Sequence, residues 1–274
     1  MNSQISQIIE LALAEDIGAG DVSASLLTNE VVNAKIISRE SAIVCGVEYA
    51  QHAFSTIDDS VDVVWKVNDG DEVSENQTLC LLKGQSRSIV TAERVALNFL
   101  QTLSATATQT RFLVDQIAHT KAQLLDTRKT IPGLRWAQKQ AVKCGGGVNH
   151  RMGLYDCVMI KENHILAMCS IGSAIDMAKN RYPKLPLIVE VEDLNQLNEV
   201  LLHDGITRIL CDNFSIDMLI SAVKTTKNKT PLEASGNIDE HNIAKIAQTG
   251  VDYISTGSIT KNIRAVDFSL RIIE

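Results

Sequence analysis

No apolar run in this 274-residue chain approaches the ~18 residues that a bilayer-spanning helix requires, so a transmembrane segment is excluded. The first residues, MNSQISQIIELALAED, lack a basic region, a long apolar core and a small-residue cleavage site, and they do not read as a signal peptide. Among the six cysteines (Cys45, Cys80, Cys144, Cys157, Cys169 and Cys211) there is no CxxC pair, and most sit inside apolar runs. Reduced, buried thiols in a cytoplasmic protein are therefore expected in preference to disulfides or zinc. Excess positive charge is also missing. With 33 acidic residues against 26 Lys and Arg, the formal net charge is -7, and an extended phosphate-neutralising surface for nucleic acid is not expected.

One absence is local. Between Thr127 and Tyr155 there is not one Asp or Glu, while Arg128, Lys129, Arg135, Lys139, Lys143 and Arg151 accumulate beside His150. Such a concentration of positive potential in an acidic chain focuses anions into a cleft. A solvated basic helix face is the plainer reading. The Pro-Gly pair and the GGG run that interrupt the charges favour a shaped site instead. The outer positions, Arg128-Lys129 and His150-Arg151, are expected to form its walls, with some of Arg135, Lys139 and Lys143 facing solvent or an interface.

Along the chain, residues 4–15 carry apolar positions at helical spacing and end at the loop EDIGAGDVS. Residues 31–46 read as one or two strands, 49–56 as a helix, and 61–84 as strands broken by Asn-Asp-Gly turn chemistry. The strand–DGDEV–strand pattern suggests a half-barrel like that of lipoyl and biotinyl carriers, but no modifiable lysine stands at a hairpin tip. A long helix follows, with Thr91 as its expected N-cap.

After Gln116 short apolar strands recur at 123–127, 157–161, 185–191, 208–212, 231–235 and 251–256, separated by helical segments. That alternation predicts a parallel sheet with right-handed crossovers. The fold class expected is an incomplete (open) α/β barrel of about six parallel strands, TIM-like, after a smaller N-terminal α+β domain. An open doubly wound sheet is the rival, but the glycine fingerprint it usually carries after its first strand is missing. The expected division is 1–105 and 106–265, with residues 266–274 packing back on the first domain.

In a parallel barrel the chemistry lies at the carboxyl ends of the strands. Here those ends carry Arg128-Lys129, Lys161, Glu190, Asp212-Asn213, Ser235-Gly236-Asn237 and Ser255-Thr256-Gly257. The two glycine-bearing ends suggest a monophosphate cradle reinforced by helix N-termini and assisted by Lys261. The basic cluster exceeds what one phosphate needs and fits several carboxylates, or carboxylates with pyrophosphate. Glu190 and Asp212 are hard oxygen donors suited to Mg2+ on such a substrate. Without a polyanion they would instead pair with Lys161 and Arg128. Cys144 beside the GGG run invites a thiol-nucleophile reading, which the basic surroundings do not require.

DTRKTIPGLR, CGGGVNHRMGL, MIKENHI, VEVEDL, LCDNF, EASGNI and VDYISTGSIT, in that order, resemble quinolinate phosphoribosyltransferases, as do the early EDIGAGDVS and the helix ERVALNFLQTLSATAT. The likeness spans essentially the whole chain. Departures are small: Val95 where Thr is common, Ala105-Thr106 for Gly-Ile, and Lys261 where some members have His. The resemblance implies transfer of phosphoribosyl from phosphoribosyl pyrophosphate to quinolinate with decarboxylation, and an N-terminal open sandwich before the incomplete barrel. It also implies that Arg128, His150, Arg151 and Lys161 hold the quinolinate carboxylates, while Lys129 and Lys161 face the pyrophosphate. Glu190 and Asp212 would then bind magnesium, and Lys129, Lys161, Glu190 and Asp212 would be the catalytic set. Thr127, Ser235, Gly236, Asn237, Ser255, Thr256, Gly257 and Lys261 complete the expected substrate-binding set. Arg94 would be donated across a homodimer with shared sites, whether or not dimers assemble into hexamers.

Overall fold

The computed structural model describes residues 2–273. In chain order the elements are α1 (Asn2–Ile17), a 3-10 turn (Ala24–Leu26), β1 (Val31–Ser38), β2 (Ala42–Ile43), α2 (Val47–Ile57), β3 (Asp62–Trp65), β4 (Glu72–Val73), β5 (Thr78–Gln85) and α3 (Ser86–Ile117). Then come β6 (Gln123–Leu125), α4 (Arg135–Cys144), β7 (Val158–Ile160), α5 (Glu162–Ala167), α6 (Ile171–Arg181), β8 (Leu187–Val191), α7 (Leu194–Val200) and β9 (Arg208–Asp212). The chain closes with α8 (Ile216–Thr226), β10 (Leu232–Ser235), α9 (Ile243–Ala247), β11 (Tyr253–Ser255), α10 (Ser258–Lys261) and β12 (Phe268–Ile273). Two compact units result: residues 1–109 with 137–145 and 263–274, and residues 110–136 with 146–262.

The first unit is built on an antiparallel sheet of order β12-β1-β5-β3, beside a separate β2–β4 pair. DGDEV forms the turn into β4, which pairs with β2. Along β5, Leu79, Cys80, Leu82 and Gly84 are buried while Leu81 and Lys83 are exposed, the period-two signature of a sheet covered on one face. Gly84 is required there, because a Cβ would lie 2.9 Å from Val61 Cγ2. α1 packs on α2, and Tyr49 of α2 stacks on Phe99 of α3 with ring centroids 5.3 Å apart. α3 starts five residues before the expected cap. Its buried stripe begins at Ile89 and Ala92, and the Thr91 hydroxyl donates to Asp21 Oδ2 (2.9 Å) instead of capping the helix.

The second unit is the parallel sheet expected from the sequence, with six strands in the order β6-β11-β10-β9-β8-β7. β7 and β6 are its two edges, so the barrel is incomplete. All five residues of β8 are buried, as in strands covered on both faces. Parallel register aligns Ser255 with Ser235 and Ser235 with Asp212, so the strand ends form one row. Two residues down each strand lies a second row on the same face, containing Leu210 beside Glu190 and Glu233 beside both Leu210 and Tyr253. Helix caps are supplied locally: Asp193 accepts from Asn195 N and Gln196 N at α7, and Ser215 from Met218 N at α8.

Candidate active site

A cleft of about 580 Å³ opens over the carboxyl ends of the parallel strands, within the second unit. Thr127, Arg128, Lys129, Arg135, His150, Arg151 and Lys161 line it, as do Glu190, Asp212, Ser235, Gly236, Asn237 and Ser255. Met159 and Leu210 add apolar surface; Leu210 packs with Cys157 and Ile188, and Met159 lies against them.

Each cationic side chain is held by its neighbours. Arg135, on the first turn of α4, reaches back to Thr130 Oγ1 (3.2 Å), Arg128 O (3.4 Å) and Met152 O (3.3 Å), tying the two basic segments together. Of the three charges expected on the helix, Arg135 thus belongs to the cleft; Lys139 is wholly buried and Lys143 exposed. Arg151 is steered by Cys157 O (3.4 Å) and Met159 Sδ (3.6 Å). Asp156 shapes the turn after it by accepting from Met152 N (2.7 Å) and Gly153 N (3.1 Å). Burial, and then repulsion from Arg151 and Arg135, holds the Arg128 guanidinium below its ordinary pKa, which marks a site short of negative charge.

Across the cleft Lys161 Nζ donates to Glu190 Oε2 at 2.5 Å. Burial raises the Glu190 pKa; Lys161 opposes the rise and nearby Asp212 adds to it. Asp212 Oδ2 accepts from Asn213 Nδ2 (2.8 Å). Two neighbouring carboxylates, Glu190 with its ionisation disfavoured by burial and by Asp212, are a donor set that a hard dication would suit. The sequence alternative, that these acids act as salt-bridge partners, holds for Glu190 with Lys161.

His150 is buried and lines the cleft. Its Nδ1 accepts from Arg151 N (2.7 Å), which leaves the ring proton on Nε2, and Nε2 faces Glu233 Oε2 at 3.4 Å. Glu233, wholly buried one row below Ser235, also meets Arg208 Nη1 at 3.0 Å, and Arg208 lies 4.4 Å above the Tyr253 ring. Burial pushes the Glu233 carboxyl up, but His150 and Arg208 outweigh it and the net shift is downward. Asp126, also fully buried, accepts from His150 N (2.8 Å) and Asn149 Nδ2 (2.6 Å) and so fixes the approach of this segment. Glu233 and Asp126 are the residues that sequence reasoning missed, while Arg135, named in the basic window, proves to be the one of its three helix charges that lines the cleft. An acid inside a parallel strand at PLEAS was the available signal for Glu233, since an apolar strand interior holds a charge only when it is paired.

The phosphate-type loops differ from expectation in one respect. Asn213, Gly236 and Asn237 all have positive φ (54°, 101° and 49°), and Asn237 Nδ2 donates to Asn213 Oδ1 (3.2 Å). A Cβ at Gly236 would lie 2.2 Å from Asn213 Oδ1, so only glycine fits. The helices after these loops are short: α9 begins only at Ile243, whereas α10 starts directly after Gly257, its N-cap, but has four residues. Thr256 is buried with its hydroxyl donated to Ile238 O (2.7 Å); it, Gly257 and the exposed Lys261 lie outside the lining. Gly257 instead lets Lys129 approach, since a Cβ there would come within 2.9 Å of Lys129 Cδ. Arg94 is an exposed residue of α3 in the first unit.

Two family models match: quinolinate phosphoribosyl transferase, N-terminal domain, over residues 21–104, and the C-terminal domain over 106–271. The chain belongs to the quinolinate phosphoribosyltransferase family. It is 40% identical to quinolinate phosphoribosyltransferase [decarboxylating] 2, mitochondrial, of Nicotiana glauca, across 98% of this chain and 82% of that protein. It is 38% identical to the nicotinate-nucleotide pyrophosphorylase [carboxylating] of Mycobacterium leprae, across 96% of this chain and 95% of that one. The solved nicotinate-nucleotide pyrophosphorylase of Francisella tularensis superposes with a TM-score of 0.98 at 44% identity, covering 100% of this chain and 97% of the other. No helix among the described residues is long and apolar enough to cross a membrane.

Proposed function

We propose that the protein transfers the phosphoribosyl group of phosphoribosyl pyrophosphate to quinolinate with decarboxylation, releasing nicotinate mononucleotide, pyrophosphate and CO2 for NAD biosynthesis. The observation that carries this reading is the lining of the cleft. Arg128, Lys129, Arg135 and Arg151 line it together with Glu190 and Asp212, and Met159 and Leu210 give it apolar surface. A flat aromatic dicarboxylate suits the cations and the apolar surface, and a metal-bound pyrophosphate suits the acids.

In the reaction the pyridine nitrogen bonds to the anomeric carbon as the bond to pyrophosphate breaks. Positive charge builds on the ribose ring and negative charge on the leaving group. Loss of the 2-carboxylate as CO2 then leaves an electron pair on the ring carbon, which a proton takes up. Fixed cations lower both barriers because they need no reorganisation as the charge develops. Arg128 and Arg151 hold the carboxylates, with the His150–Glu233–Arg208 chain setting the position of the Arg151 segment. Lys129 and Lys161 face the pyrophosphate, Lys161 exchanging its Glu190 partner for substrate oxygen. Ser235, Gly236, Asn237 and Ser255 receive the 5-phosphate. Magnesium, held by Glu190 and Asp212, would supply charge neutralisation of the leaving pyrophosphate.

The functional unit in this reading is a cytoplasmic homodimer in which Arg94 completes the partner's site. An Arg94→Ala chain is then inactive alone. It regains activity when mixed with a chain carrying intact Arg94 and a different lesion; failure to complement would refute the shared site. The reaction itself is tested with quinolinate, phosphoribosyl pyrophosphate and magnesium. Product from nicotinate but none from quinolinate would overturn the substrate assignment, and binding without turnover would overturn catalysis.

A further inference from the structure

Three groups that all favour negative charge when they bind metal converge in the first unit, away from the cleft lining. They are Cys45 at the entrance to α2, Asp69 in the turn between β3 and β4, and Cys144, the last residue of α4. One ligand atom from each lies within 4.8 Å of the others. The approach is built and not incidental. Cys45 is buried, its N–H donating to Ser104 Oγ (2.9 Å) and its carbonyl accepting from the same hydroxyl (3.2 Å). Asp69 Oδ1 accepts from Gly46 N (2.9 Å) and Val47 N (3.0 Å), which fixes the carboxylate and leaves Oδ2 free of those bonds. The three segments are far apart in sequence, so no short cysteine spacing announces them.

We propose that Cys45, Cys144 and Asp69 bind a thiophilic divalent cation of the zinc type, with water as the fourth ligand. The donor set is two thiolates and one carboxylate oxygen, and its three-plus-water count is common for zinc. With zinc–sulfur bonds of about 2.3 Å, tetrahedral geometry needs the sulfurs roughly 3.8 Å apart, a contraction of about 1 Å or less from the widest separation present. A disulfide explains the arrangement less well. Both thiols are free, and a disulfide gives Asp69 no role. A cation held there fastens the end of α4 to the α2 entrance and the β3–β4 turn.

The test uses full-length reduced protein, stripped with a chelator and titrated with Co2+. The wild type develops a sulfur-to-cobalt charge-transfer band, which the carboxylate pair Glu190 and Asp212 cannot produce. Cys144→Ser, at a half-exposed position, loses about half of its intensity. Cys45→Ser with Cys144→Ser loses all of it, and Cys169→Ser loses none. Asp69→Asn retains the band but needs about tenfold more Co2+, one lost ligand being worth at least the ~10-fold of an outer-shell partner. Zn2+ competes the band away and raises the melting temperature of the wild type and of Cys169→Ser, but not of the double variant. Absence of a band in the wild type, or a band unchanged in the double variant, would overturn the proposal. So would a metal-free Cys45–Cys144 disulfide in unreduced protein.

Discussion

Replacing Glu233 by Gln keeps volume and removes one charge, and it isolates what holds His150 in place. Glu233 is wholly buried, 3.0 Å from Arg208 Nη1 and 3.4 Å from His150 Nε2. Removing one partner of a buried ion pair costs about 3–5 kcal/mol, because the other charge is left without compensation. Gln still offers a carbonyl acceptor, so the lower end, about 3 kcal/mol, is expected. At roughly 2–4 °C per kcal/mol for a unit of this size, the melting temperature should fall by about 6–12 °C. His150 also loses the anion that receives its Nε2–H, so the Arg151 backbone that leans on its Nδ1 loses a fixed acceptor. The KM for quinolinate should rise about tenfold, equivalent to ~1.4 kcal/mol, with a smaller change for phosphoribosyl pyrophosphate. The pH dependence follows from the lowered folded-state pKa. Glu233 contributes stability above the unfolded carboxylate range, and that contribution is lost as pH falls through the lower folded value. Thermal melts of both proteins should therefore diverge at neutral pH and begin to converge only as pH falls below the unfolded carboxylate range, about pH 4. A variant that melts within about 2 °C of the wild type, with unchanged KM for quinolinate, would refute the idea that this pair positions the site.

Glu190→Gln should behave in the opposite way. Its pKa is raised by burial, so its contribution is present below the unfolded value and lost as pH rises through the folded one. At neutral pH the ligand-free variant should melt no lower than the wild type while losing magnesium-dependent turnover; a marked drop in melting temperature would contradict this. Gly236→Ala places a β-carbon 2.2 Å from Asn213 Oδ1 at a φ of 101°, where the backbone alone costs about 1–2 kcal/mol. The KM for phosphoribosyl pyrophosphate should rise at least about tenfold, against little change in quinolinate affinity. Arg128→Ala relieves crowding by Arg151 and Arg135, so the fold should persist by circular dichroism while calorimetric quinolinate binding disappears. Retained affinity would remove Arg128 from the carboxylate site.

How far this molecule can be read from its chain depends on whether the signal is periodic or cooperative. The six parallel strands announce themselves through apolar runs at steady spacing, and their polar ends fall where parallel topology puts chemistry. The placement of Glu190, Asp212 and Ser235 along one cleft was legible for that reason. The start of α3 was misjudged because Thr91 looks like a cap locally, whereas its hydroxyl is used by Asp21, 70 residues away. Glycine after a strand implies a tight turn but does not fix where the next helix starts: α10 follows Gly257 directly, while α9 begins only at Ile243.

His150 shows the limit most clearly. The family resemblance assigns it to the quinolinate carboxylates, and a sequence does not say which way a side chain points. Its actual role depends on which way each nitrogen points, and that is set by Arg151 on one side and Glu233 on the other. Glu233 comes from β10, more than eighty residues downstream, and is itself tolerated only because Arg208 from β9 pairs with it. A buried acid in a parallel strand thus carries information that the basic window lacks. It requires cations on the same interior face, and locating those cations shows which part of the window is scaffold and which part is left to meet substrate. By that criterion the Nε2 edge of His150 is committed to Glu233, while Arg128, Lys129, Arg151 and Lys161 line the cleft beside it.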